Sequence, residues 1–289
     1  MKILYTFLLL NFSICFSQNN KYIIEFKDKN NSPYTISEPS AYLSPAAIER
    51  RLRQNIPIEF NDLPPNPNYI QNILNKGVKF LHQSRWFNSV TVSISDNSII
   101  QEIRNLDCVK GIKKAEQKIL ALPYEYTVQS KYSKSNSIKK SVLNLTNDVY
   151  DYGQSLAQVN QIGGICMHNQ GFDGRNRIIC VMDAGFKNAD TLSCFDSIRN
   201  NGQLLGTWDF VANEASVFED NDHGAMVLSC MASNMPGVHI GTAPKASYWL
   251  LRTENAASEL IIEEDNWMTG AEFADSVGAD IINSSLGYT

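Results

Sequence analysis

Arg177-Ile178-Ile179-Cys180-Val181-Met182-Asp183 is an apolar run closed by a carboxylate, and Ala184-Gly185 turn the chain straight after it. An apolar run without polar alternation reads as a strand buried on both faces, the kind found inside a parallel sheet. Leu204 to Phe210, Ser247-Tyr248-Trp249-Leu250-Leu251 and Asp280-Ile281-Ile282-Asn283 are three more strand candidates. Between them, His223 to Ala232 has helical spacing through Val227, Cys230 and Met231. Trp267, Ala271, Ala274 and Val277 fall on one face of a further helix that Gly278 can terminate. Strands separated by helices predict a doubly wound parallel sheet with helices on both sides. Sites in such sheets form at the carboxyl ends of strands, which is where Asp183 stands.

Upstream, the character changes. Residues 21 to about 119 predict a small α+β unit. Tyr22 to Phe26 reads as a strand, and Ser44-Pro45 followed by Ala46 to Arg53 as a helix with Ser at N-cap and Pro at N1. Tyr69 to Leu74 is helix-like, Val78 to Leu81 and Ser89 to Ile94 are β-rich, Asn97 to Asn105 resumes helical spacing, and Cys108 to Ile119 supplies a last strand. The order β-α-β-β-α-β fits a split-βαβ sandwich of ferredoxin-like type. Lys131 to Lys140 is rich in Ser, Lys and Asn, a composition that cannot offset the entropy of ordering and predicts a linker open to proteolysis. The expected divisions are a signal over 1–17, the α+β unit over 18–120, a linker over 121–151 and the parallel-sheet unit over 152–289.

The signal rests on Lys2, the short apolar stretch Ile3 to Phe16, and the small residues Cys15 and Ser17 before a cut at Gln18. It implies a secreted or extracytoplasmic protein. A lipoprotein cut before Cys15 is the alternative, against which Ile14 stands. Cys108, Cys166, Cys180, Cys194 and Cys230 follow the signal, without the C-x-x-C spacing of zinc or thioredoxin-type sites. Export would allow a disulfide between two of the four in the C-terminal half, with Cys180 reading as a small buried hydrophobe. The chain has 289 residues, 43% of them apolar, with 25 Lys+Arg against 30 Asp+Glu. A core-forming protein follows from this, and the net charge of −5 without a basic stripe argues against a nucleic-acid partner. Past the N-terminus there is no apolar stretch long enough for a membrane span.

Four stretches carry chemistry in combination. Alone, Asp183 is a strand-end carboxylate capping the next N–H groups, and His223 a surface residue in the acidic loop Glu219-Asp220-Asn221-Asp222. Asp222 offers that helix an N-cap, and Gly224 lets another backbone approach. A metal site built from the same acids is set aside, because no other His clusters with them. Gly241-Thr242-Ala243-Pro244-Lys245-Ala246 is a turn before a strand, and Asn283-Ser284-Ser285-Leu286-Gly287 an extended segment against which a peptide can pair.

Taken in order, Val181-Met182-Asp183-Ala184-Gly185-Phe186, Asp222-His223-Gly224-Ala225, Gly241 to Ala246 and Ile281-Ile282-Asn283-Ser284-Ser285-Leu286-Gly287 resemble the subtilisin-like serine proteases. The resemblance covers roughly residues 152–289, and the upstream unit looks like the propeptide that often precedes such a domain. It implies a partial doubly wound parallel sheet behind a ferredoxin-like propeptide domain. It also implies Asp183 as triad carboxylate, His223 as general base, and Ser285, Leu286 and Gly287 as substrate-binding residues. Protein or peptide substrates and the chain's own propeptide as inhibitor go with that assignment; calcium is often seen in the family, but no ligand set for a metal and no cofactor motif stands out in these residues. Asp222, Ala225 and Met226 depart from the family's usual Gly, Thr and second His. The oxyanion Asn and the serine in its Gly-Thr-Ser context have no counterpart up to Thr289, so a fragment lacking its nucleophile is expected. Two other classes stand beside this one. One is a non-catalytic inhibitory or binding protein made of the propeptide-like unit and a partial scaffold. The other is a small-molecule hydrolase or nucleotide enzyme, against which the absence of G-x-S-x-G and G-x-x-x-x-G-K-[ST] argues.

Overall fold

The structure, a computed structural model, describes residues 20–115, 148–258 and 260–287. The expected signal, and the expected linker up to residue 147, lie outside the described residues. The first unit contains β1 (Asn20–Phe26), α1 (Pro45–Gln54), α2 (Pro67–Leu74), β2 (Lys79–Ser84), β3 (Ser89–Ile94), α3 (Ile100–Arg104) and β4 (Val109–Lys114). The second contains α4 (Leu156–Gln161), α5 (Gly164–Asn169), β5 (Ile178–Asp183), α6 (Asp196–Asn200), β6 (Leu204–Asp209), α7 (His223–Ala232), β7 (Asn234–Met235), β8 (His239–Ile240), β9 (Ser247–Arg252), α8 (Ile261–Val277) and β10 (Ile281–Ser284).

In the first unit the sheet order is β2-β3-β1-β4, with every pairing antiparallel. This is the split-βαβ arrangement that the element order predicts. Tyr22, Ile24 and Phe26 alternate along β1 and meet Val90, Val92 and Ile94 of β3, with Ile73 of α2 and Ile103 of α3 closing the core. The Ser44 side chain accepts from the Ala47 N–H and Pro45 opens α1, as the capping pattern predicts. The packing of α1 is not given by that order of elements. The helix is additional to the sandwich, contributes nothing to the core under the sheet, and packs against α8 of the second unit. Lys29 secures the excursion that carries α1. Its buried ammonium donates to the carbonyls of Leu63 at 2.6 Å and Arg85 at 2.8 Å, and reaches those of Phe60 and Asn61. Burial pulls its pKa down to about 8 against the pull of Glu272.

The second sheet has the order β10-β5-β9-β6 and is parallel throughout. The central strands β5 and β9 are buried because each face has its own cover, whereas β10 at the sheet edge leaves Ile281 and Ile282 exposed, against the burial its apolar run predicts. Ile179, Val181, Tyr248 and Leu250 pack with Ala225, Leu228 and Ala232 of α7. Cys180, Met182 and Leu251 pack on the opposite face with Ala271 and Ala274 of α8. Residues 148–151, at the end of the expected linker, are docked on this unit: the Val149 N–H donates to Asn169 Oδ1 at 3.0 Å and the Tyr150 hydroxyl to Asp173 Oδ2 at 3.1 Å. Among the described residues no helix is long and apolar enough to cross a membrane. All five cysteines of the described residues are free thiols, so the disulfide that export would allow is not formed; Cys180 is fully buried, as its apolar surroundings predict.

Helix α8 is covered on two sides, which explains why β2 runs on through the polar residues His82, Gln83 and Ser84, past the apolar stretch that predicts it. Its Ala271 and Ala274 face the parallel sheet, while its carboxylates meet the other unit. Asp265 Oδ2 accepts from His82 Nε2 and Thr91 Oγ1, both at 2.6 Å. Glu272 accepts from the Ser84 hydroxyl, the Arg85 N–H at 2.6 Å and the Trp86 N–H at 3.2 Å, and its carbonyl takes the Arg85 guanidinium at 2.7 Å. Burial pushes the Glu272 carboxyl above its ordinary value, opposed by those donors. At the end of α8, Asp275 pairs with Arg50 and with Arg51, the latter at 2.8 Å, and Arg50 also donates to the Ala279 carbonyl at 2.8 Å. Gly278 closes the helix at φ 85° so close to Ala46 and Ala47 that an added Cβ would stand 2.6 Å from the Ala46 carbonyl carbon.

Two outcomes follow from this interface. Glu272→Ala leaves the Ser84 hydroxyl and the Arg85 and Trp86 N–H groups without their acceptor and takes the carboxylate from beside the Arg85 guanidinium; it is expected to cost about 3 kcal/mol, read as a lowered urea midpoint for the first unit. Asp275 sets an acid limit. Burial raises its pKa, but Arg51 and Arg50 together hold it below the ordinary 3.8. A depressed carboxylate stabilises the fold above its unfolded value and loses that contribution as pH falls through the folded one. Urea midpoints measured from pH 7 downward should therefore fall below about pH 4, and Asp275→Asn should flatten that part of the curve while lowering the neutral plateau.

Candidate active site

The carboxyl rim of the parallel sheet brings Asp183 and His223 together. Asp183 ends β5 with no exposed surface. Its Oδ1 accepts from the Ala184 N–H at 2.8 Å and from His223 Nδ1 at 2.8 Å. The capping contact and the contact with His223 are thus made by the same atom. A carboxylate only accepts, so the proton of that bond sits on Nδ1. The Nε2 of the neutral ring is left as an acceptor, on a side chain that is 46% exposed.

His223 is the first residue of α7, and its place depends on two backbones touching. The Gly224 N–H donates to the Gly185 carbonyl at 2.9 Å, and the Lys187 N–H to the Asn221 carbonyl at 3.0 Å. Gly185 has φ 148°, and a Cβ there would meet the backbone of Asn221 at 2.8 Å. A Cβ on Gly224 would lie 2.4 Å from the Gly185 oxygen and 2.9 Å from Asp183 Cβ. Both glycines are therefore required by the close approach, as the sequence suggests for Gly224. The expected N-cap at Asp222 is not made. Asn221 accepts the His223 N–H with its side chain at 2.8 Å instead, because an Asx side chain reaches two residues onward, while Asp222 itself has helical dihedrals.

Ser285, Leu286 and Gly287 continue β10, which runs parallel to β5 with Ser284 beside Met182. By that register Ser285 falls level with Asp183; Ser285 and Gly287 are exposed and Leu286 half-buried. Ser285 Oγ bonds Asn283 Oδ1 at 3.4 Å and neither dyad residue. Gly241 to Ala246 is a framework turn: the Thr242 carbonyl accepts from His168 Nε2 at 2.9 Å, and Gln203 holds the carbonyls of Pro244 and Ala246. In the acidic loop, Glu219 bonds the Ser216 hydroxyl and Asp220 pairs with Arg252. Composition and spacing assign Arg252 no role. Its signal is a cation placed where an apolar strand ends.

An Asp–His pair at the carboxyl rim of a parallel sheet, behind a ferredoxin-like unit, is the α/β arrangement that the resemblance to the subtilisin-like proteases implies. Sequence comparison with known proteins points the same way. Residues 21–136 match the Peptidase S8 propeptide domain of Bacteroidota. Subtilisin E of Bacillus subtilis is 30% identical over 143 residues, covering 48% of this chain and 34% of that protein. Thermitase of Thermoactinomyces vulgaris is 31% identical over 152 residues, covering 50% of this chain and 48% of that protein. The chain thus spans less than half the length of these relatives. The crystal structure of fervidolysin from Fervidobacterium pennivorans, described as a keratinolytic enzyme related to subtilisin, aligns over 94% of this chain and 36% of that one, with 15% identity and a TM-score of 0.49. The chain is thus similar to subtilisin-like serine proteases over about half its length, and residues 21–136 match the propeptide domain of family S8.

Gly224→Ala checks the close approach at the dyad. The Cβ would press on the Gly185 carbonyl, and the expected cost is about 1–3 kcal/mol together with loss of the Asp183–His223 bond. Chemical unfolding and the imidazole nitrogen resonances of His223 measure the two effects.

Proposed function

We propose that this chain is the N-terminal part of a secreted serine endopeptidase of subtilisin type, made as an inactive precursor. The observation that carries the reading is the 2.8 Å bond between Asp183 Oδ1 and His223 Nδ1 at the sheet's carboxyl rim. A serine hydroxyl is a poor nucleophile at neutral pH and needs a base within hydrogen-bond reach. His223 is suited to take that proton on Nε2 and return it to the leaving amine, while Asp183 holds the tautomer and stabilises the imidazolium. The reading assigns the nucleophilic serine and the oxyanion asparagine to sequence outside residues 1–289. It assigns substrate-backbone and pocket contacts to Ser285, Leu286 and Gly287. Residues 1–17 direct export, residues 18–120 fold against the protease part and inhibit it, and cutting within 121–151 releases the inhibition. No metal or cofactor enters the chemistry, and the substrates are proteins or peptides.

The test is turnover of a protein substrate by the complete gene product. Asp183→Asn is expected to lower kcat by about four orders of magnitude, and His223→Ala by at least as much, with folding retained. Residues 18–289 alone are expected to cleave nothing. Undiminished cleavage by the His223 variant of the complete protein overturns the reading.

A further inference from the structure

Three neighbouring strands of the parallel sheet end in charged residues that lie in one row. Asp183 of β5 pairs in register with Arg252 of β9, and Arg252 with Asp209 of β6. The Arg252 guanidinium is nearly buried, and each of its bonds goes to a different segment. Its Nη1 donates to Asp209 Oδ2 at 2.8 Å and to Asp220 Oδ2 at 2.6 Å, and its Nε donates to the Ala184 carbonyl at 3.1 Å. Ala184 follows the acid of the dyad, and Asp220 lies three residues before the base. Asp209 is held independently, since its other oxygen takes the N–H groups of Val211 and Ala212.

The segment that delivers His223 needs such a tie. Val217 is fully buried, but Glu219, Asp220, Asp222 and His223 are all exposed. Few apolar contacts hold the last residues before the helix, so backbone bonds to residues 185–188 and the Asp220 ion pair carry the placement. A flexible or protruding loop would leave the imidazole free to swing away from Asp183. An arginine suits this position because its planar fork serves three acceptors at once, which a lysine ammonium on a single stem does not reproduce.

We infer that Arg252 is a positioning residue for the dyad: it ties the turn after Asp183 to the loop before His223 and so sets the bond between them. The role as part of a catalytic dyad rests on the peptidase reading above, while the tie itself is a property of the fold. The test uses the chain with nitrogen-labelled histidine and follows the Nδ1–H signal of His223 and the exchange of the amides of residues 219–224. His168 is the internal control, because its Nδ1 accepts from the Tyr152 hydroxyl in the same unit at 2.8 Å, away from this network. With Arg252→Met, the His223 Nδ1–H is expected to exchange at least tenfold faster, and the loop amides likewise, with the His168 signals unchanged. Arg252→Lys should fall between wild type and Met. Asp220→Asn takes the charge from the loop half of the tie, on a residue exposed enough not to threaten folding, and should shift His223 in the same direction. Wild-type His223 signals and loop exchange in both Arg252→Met and Asp220→Asn overturn the inference, as does a change that His168 shares equally. Because the readout needs no turnover, a chain that behaves as expected beside an inactive complete protein would sink the peptidase reading alone.

Discussion

Helix α8 cannot be exposed on either of its long sides. One side presents Ala271 and Ala274 to the parallel sheet, and the other presents Asp265, Glu272 and Asp275. Small apolar residues let the helix approach the sheet closely, while buried carboxylates are tolerable only with donors in place. The first unit supplies those donors: His82 and Thr91 for Asp265, Ser84 and the N–H groups of residues 85 and 86 for Glu272, Arg50 and Arg51 for Asp275. The two units are therefore each other's solvent, and α1 exists to complete that cover rather than to complete its own sandwich.

The same helix stands behind the site. It covers the face of the sheet that carries Met182, and a Cβ on Gly270 would lie 3.1 Å from the Met182 Cε and 2.8 Å from Thr253 Cγ2. Packing of this closeness transmits small displacements. The rim where β5, β9 and β6 end is thereby supported from below by α8 and from the opposite face by α7. Burial of a partly unsatisfied carboxylate at Asp183, whose Oδ2 has no hydrogen-bond partner among the described residues, is the cost carried by that rim.

Much of the architecture was legible in the chain. The run from Ile178 to Met182 announced a doubly buried strand, and the Ser44-Pro45 pair announced the start of a helix whose cap forms as written. The strand ends were legible wherever burial alone decided them. They were not legible in β2, where His82 and Ser84 look like loop residues until a carboxylate is placed opposite each. Nor did local pattern tell that Asn221, not Asp222, would hold the His223 N–H, because both residue types cap equally well on paper and only the dihedrals separate them.

Residue order and side-chain type determined where the strands would lie, which turn would follow the acid, and which residues were chemically able to form an acid–base pair. These are short-range matters of periodicity, capping and steric freedom. Tertiary structure decided what no local pattern encodes: that a helix from the excursion between β1 and β2 would face α8, that the ends of three strands would line up acid, cation and acid, and that Asp183 and His223 would stand 2.8 Å apart. The reason is that sheet register and the approach of distant backbones are set by packing many residues at once, and a charge acquires its partner only when that packing is complete.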